Sequence, residues 1–165
     1  MKKKAREFGT QLIIKRFDFF RESYSEQGTN DQDLVARIYR SCQVAHIWRC
    51  HNVSHGYFYR CPQSIFIPEV VGESHKSDFD GDRLRIHNGD SFGEELLDFL
   101  ERSTPLSACS YCLGSVGRSF PHAQVVRSSW RKFQKYRTED LVDWAFLKTL
   151  EDKADTKNGC FLEIN

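Results

Sequence analysis

Hydrophobic positions change their period several times along the chain, and each change marks a predicted element. In NDQDLVARIYRSC, Leu34, Val35, Ile38 and Tyr39 recur at the spacing of one helical face, with Asn30 or Asp31 placed to cap the first turn. The stretch that follows, AHIWRCHNVSHGYFYRC, is instead dense in aromatic and β-branched residues around Gly56, the composition of a hairpin. SFGEELLDFLERS returns to helical spacing: Ser91 and Glu94 stand in capping-box relation, and Leu97 and Leu100 share a face with Leu96 beside them. Pro105 comes soon after that helix, and a loop carrying SACSYCLGSVG succeeds it. Near the start, TQLIIKRFDFF reads as a strand followed by a turn or a short helical start. Residues 72–90 are rich in Gly and Asp and predict a loop with one short strand at RLRIH. SSWRKFQKY and TEDLVDWAFLKTLEDK predict two helices before a polar tail. No internal repeat or low-complexity tract appears. The expected class is α+β with little strand content: a small hairpin-bearing domain with flanking helices.

Composition narrows this picture. A length of 165 residues suits one domain, and a hydrophobic fraction of 39% with 28% charged residues suits a soluble one. Lys and Arg number 24 against 23 Asp and Glu, so no global field favours nucleic acid or an acidic membrane. The basic start MKKKAREFGTQLII resembles a signal peptide only in charge, because its apolar run from Leu12 to Ile14 is far too short. Nothing approaches a membrane span, and a cytoplasmic protein is expected.

That compartment bears on the six cysteines. In a reducing cytosol, closely spaced thiols more often bind metal or do redox work than form disulfides. If His55 and Gly56 form a primed turn, Ser54 pairs with Tyr57, Val53 with Phe58, and by extension Cys50 with Cys61. Directly opposite residues share a face, close enough for two thiolates to reach one centre. Cys109 and Cys112, in CSYC, form a second pair whose two-residue spacing converges both sulfurs, and the following LGSVG lets backbone approach. Two such pairs make a four-thiolate site, which either a 4Fe–4S cluster or zinc accepts. The ten residues between Cys50 and Cys61 are long for a structural zinc site.

The same residues resemble a known family. Cys42 lies fourteen positions before Gly56, and Gly56 five before Cys61 in GYFYRCP. This is similar to the opening element of the SPASM and twitch auxiliary domains of radical SAM enzymes, and ACSYCLGSVG resembles their later cysteine pair. The likeness covers roughly residues 30–125, including LLDFL and the PH that follows the second pair. It implies residues 1–29 as an N-terminal strand and linker, 30–125 as an auxiliary iron–sulfur domain and 126–165 as C-terminal helices and tail. The family spacing accepts Cys42 as first ligand, whereas the hairpin register favours Cys50. The preferred set is therefore Cys50, Cys61, Cys109 and Cys112, with Cys42 in reserve. Cysteines for a second cluster are lacking before Cys160, and no CxxxCxxC motif of a SAM-cleaving core is present. SAM is thus not expected to bind this chain alone, no catalytic residue is assigned, and activity depends on a separate radical SAM core. The substrate would be a protein, peptide or small molecule. The alternative is a non-enzymatic four-cysteine zinc domain serving structure or interaction.

Other features have plainer readings. RSSWRKFQKYR interleaves basic residues with Trp130, Phe133 and Tyr136, as single-strand binders do, but aromatics at every third position read as the packed face of a helix. No nucleic-acid role is expected. His51, His55 and His122 lie close in sequence to the cysteine segments; His55 reads as a turn residue and His122 as a loop hydrogen-bonder. DFDGDR resembles a calcium loop, but position twelve from Asp78 is Gly89 rather than Glu. Cys160 reads as a free thiol.

Overall fold

A computed structural model describes residues 2–14, 17–71, 79–123, 126 and 136–156. Helix α1 spans Lys2–Glu7, and strand β1 spans Phe19–Arg21. Helix α2 follows at Gln32–Arg40 and buries Leu34, Val35, Ile38 and Tyr39, the four residues its periodicity selected. Asp31 takes the cap, its Oδ1 accepting the Leu34 N–H at 3.0 Å. That bond satisfies one of the donors every helix start leaves open.

A short helix α3 (Gln43–His46) leads into strands β2 (Asn52–Ser54) and β3 (Tyr57–Tyr59). Ser54 pairs with Tyr57 and Val53 with Phe58, as the primed turn requires. His55 and Gly56 both have positive φ, 50° and 78°, the conformation that matches the twist of the flanking strands. Strand β4 (Arg83–Arg85), within the RLRIH segment, joins β3 to give an antiparallel sheet ordered β2-β3-β4. A second antiparallel ribbon pairs β1 with β5 (Ser119–Pro121). The α+β class follows from these small sheets among helices.

Several boundaries depart from the sequence pattern. Residues 10–14 hold no regular structure, and Ile13 and Ile14 are exposed, so nothing packs there to support a strand. Helix α4 (Gln63–Val71) was not expected, because Pro68 and β-branched residues disguise it; it buries Ser64 and Ile67. Helix α5 (Phe92–Glu101) forms as expected, but Ser91 Oγ donates to Glu95 Oε1 at 2.7 Å instead of completing a capping box with Glu94. The segment TEDLVDWAFLKTLEDK breaks into α6 (Thr138–Leu141) and α7 (Trp144–Thr156). Val142 turns extended between them to bridge Gly117, and Asp143 restarts the helix by accepting the Phe146 N–H at 3.0 Å. The SSWRKFQKY helix lies outside the described residues except for Tyr136, which is half-exposed beneath the Arg118 guanidinium.

The main core joins α2 to the chain's last third. Leu34, Ile38, Leu113, Val116, Leu141, Val142 and Leu147 form one buried cluster. Leu113 and Val116 come directly after the CSYC pair, so this core fixes the loop that carries it. Among the described residues, no helix is long and apolar enough to cross a membrane.

Candidate metal centre

Three segments of the chain bring four cysteines within electrostatic range of one another. Cys42 sits between α2 and α3, and Cys61 between β3 and α4. Cys109 lies in a 3-10 turn, Ser107–Ser110, and Cys112 just beyond it. Charge on Cys61 disfavours a thiolate at Cys42, charge on Cys42 and Cys61 disfavours one at Cys109, and charge on all three disfavours one at Cys112. All five described cysteines are free thiols. Among the described residues, no three His, Cys, Asp or Glu side chains stand in the geometry of a single bound ion.

Burial pushes all four thiols up, Cys109 and Cys112 far beyond the usual cysteine range. Four thiols here resist ionisation without a cation, since an uncompensated thiolate is costly in an apolar setting. The backbone opposes that resistance at each sulfur. N–H groups of Val44 and Ala45 serve Cys42, those of Gln63 and Ser64 serve Cys61, and Leu106 serves Cys109, while the Ser64 hydroxyl donates to the Cys61 carbonyl at 2.8 Å. The Gly114 N–H donates to Cys112 Sγ at 3.1 Å. Gly114 has φ +52°, and a Cβ there would lie 3.2 Å from Cys42 Sγ. Glycine therefore lets the backbone pass between two of the sulfurs.

The CSYC turn has an anchor that the sequence did not reveal. Asp82 is 1% exposed; its carboxylate accepts the Ser107 N–H and the Ala108 N–H, each at 2.7 Å. Burial raises its pKa, and those two amides favour the charged form. Asp82 belongs to DFDGDR, so the acidic cluster that fails as a calcium loop supplies an acceptor to a distant turn. Only its charge flagged it, and nothing local named its target.

Cys50 takes a different place. Its N–H bonds the Val44 carbonyl at 3.0 Å, which ends the hairpin ladder at Asn52 and Tyr59. Half-buried, it packs against Cys42, Val44, Ala45 and Cys61. The histidines near the cysteine segments have other partners: His51 Nδ1 contacts the Arg60 carbonyl at 2.9 Å, His55 Nδ1 contacts Ser54 Oγ at 2.8 Å, and His122 stacks edge-on against Phe20. Cys160 lies outside the described residues.

In donor chemistry, four thiols with backbone amides aimed at sulfur fit an iron–sulfur cluster, whose ligands are thiolates tuned by such hydrogen bonds. They also fit a soft metal such as zinc. No protein-family model matches the chain, and none of the curated proteins matches it.

Proposed function

We propose that the chain holds one 4Fe–4S cluster on Cys42, Cys61, Cys109 and Cys112, in the manner of the auxiliary region of a radical SAM enzyme. What supports this reading is the convergence of four thiols from three segments, with the Gly114 N–H donating to Cys112 Sγ and backbone amides favouring the charged form of the other three. Cys42 replaces Cys50 as first ligand because its thiol acts on both Cys109 and Cys112 and its sulfur faces Gly114. Cys50 packs against the hydrophobic cluster that holds Cys42 and Cys61. When bound, such a cluster would supply a one-electron relay or a structural brace, since four cysteine ligands leave no iron open.

The chain's own residues do the rest. The amides at each sulfur stabilise thiolate charge and so favour the loaded form. Buried Ala108, Val44 and Ala45 exclude water from the ligand turns, and Asp82 holds the CSYC turn in register. A separate SAM-cleaving core would act on the substrate, because the chain carries no CxxxCxxC motif.

Serine variants test the assignment. After anaerobic reconstitution with iron and sulfide, Cys42→Ser, Cys61→Ser and Cys112→Ser should lose most of the broad visible absorption, while Cys50→Ser keeps it. Retention in Cys42→Ser with loss in Cys50→Ser would return the first ligand to Cys50. One zinc per chain with no sulfide in the wild type would contradict the cluster itself and leave a structural zinc domain.

A further inference from the structure

The hairpin that delivers Cys61 also buries a positive charge beside it. Arg60 is 6% exposed. One terminal nitrogen donates to the Arg102 carbonyl at 2.8 Å and to the Phe99 carbonyl at 3.2 Å. The other faces His46 Nδ1 at 3.5 Å, and the guanidinium carbon stands 5.5 Å from the centre of the Tyr39 ring. Its Nε is buried without a hydrogen-bond partner. Every one of these contacts is neutral or a weak quadrupole. Among the described residues, no carboxylate forms an ion pair with Arg60.

A guanidinium cannot shed its proton to escape such a site. Buried charges are instead paired with opposite charge, because carbonyls alone do not offset the loss of water. Apart from the Tyr39 phenol, which burial keeps protonated, the groups next to Arg60 that can become anionic are thiols. Cys61 is its neighbour in the chain, and the Arg60 charge acts on Cys42 in the direction that favours the thiolate. A cluster held by four thiolates is net negative, and reduction adds one further negative charge.

We propose that Arg60 is the counter-charge of the four-cysteine centre, stabilising the loaded state and raising its reduction potential. This inference rests on the cluster reading above. Arg60 is a positioning and tuning residue, since its contacts are to Tyr39, His46 and the end of α5 and not to the cluster.

The test uses the full chain, reconstituted with iron and sulfide, as wild type, Arg60→Gln and Arg60→Lys. Folding is checked by circular dichroism, loading by iron and sulfide content, and the midpoint by spectroscopically monitored redox titration. Arg60→Gln should load but favour the oxidised form at least tenfold at the wild-type midpoint, ~59 mV for a one-electron couple. Arg60→Lys, which keeps the charge, should stay within about twofold. A loaded Arg60→Gln with an unchanged midpoint overturns the inference and leaves the cluster reading standing. Should Arg60→Gln fail to fold, Arg60→Met, which also removes the charge but keeps an apolar stem, decides: a tenfold shift toward the oxidised form supports the inference, and a midpoint within about twofold of wild type refutes it. A wild type that takes up neither iron nor sulfide removes the cluster reading, and this inference with it.

Discussion

Gly114→Ala places a methyl group against a proposed ligand, and its cost can be worked from two sources. The first is backbone strain, since Gly114 sits at φ +52°, where a side chain costs about 1–2 kcal/mol. The second is crowding: the new Cβ would lie 3.2 Å from Cys42 Sγ, 3.4 Å from Cys42 Cβ and 3.4 Å from Ile38 Cγ2. Ile38 is buried and held by the main core, so Cys42 is the group that must give, at a cost on the order of 1–3 kcal/mol. Gly56→Ala separates the two sources. Its φ is +78°, and a Cβ there meets nothing within 4 Å, leaving strain alone. Thermal unfolding followed by circular dichroism, in one reducing buffer, should lower Tm by about 4–20 °C for Gly114→Ala and about 2–8 °C for Gly56→Ala, with the larger fall in Gly114→Ala. Reconstituted Gly114→Ala should also hold less iron than Gly56→Ala. Equal Tm shifts and equal iron in the two variants would refute the claim that Gly114 makes room for Cys42.

Two further perturbations probe the support around the centre. Asp82→Asn keeps one acceptor but turns an amide NH₂ toward a backbone N–H, so it should cost ~1–3 kcal/mol in a denaturant titration; an unchanged midpoint would mean the CSYC turn needs no such anchor. The surface pairs Arg21–Asp143 and Arg37–Glu151 predict a pH effect. Their carboxyl pKa values are lowered chiefly by hydrogen bonds from the guanidinium groups, at 2.9 Å for Arg21–Asp143 and 2.7 Å for Arg37–Glu151. A depressed folded pKa contributes stability that is present above the ordinary carboxylate range and lost as pH falls through the folded value. Solvent screening limits each pair to ~0.2–1 kcal/mol. Asp143→Asn, which keeps an oxygen to cap Phe146, should therefore be less stable than wild type near neutrality and nearly equal to it well below the carboxylate range; a pH-independent gap would refute this.

Much of the fold was legible because local rules and packing agreed. In α2, the apolar face, the Asp31 cap and burial all coincide, and in the hairpin His55 and Gly56 both adopt the left-handed conformation that fixes the register. Legibility failed where distant contacts overrode local preference. Val142 interrupts a helical pattern because Gly117 offers it a bridge, and α4 forms across Pro68 because Ile67 has a buried place to fill. Register arithmetic carried Cys50 opposite Cys61, but it assumed that the ladder continues past Asn52. The carbonyl of Val44 instead captures the Cys50 N–H. Cys42, chosen by motif spacing and not by strand geometry, joins the other thiols. Arg60 and Asp82 were invisible as site residues, since their partners lie far away in sequence and only burial gives their charges meaning.

The central claim is that the four thiols hold a cluster and not a single ion or nothing. The direct measurement is iron, acid-labile sulfide and zinc content of the full chain purified without oxygen, with its visible spectrum. About four iron and four sulfide per chain, with broad charge-transfer absorption, is the predicted result. One zinc without sulfide, or none of the three elements bound, would contradict it.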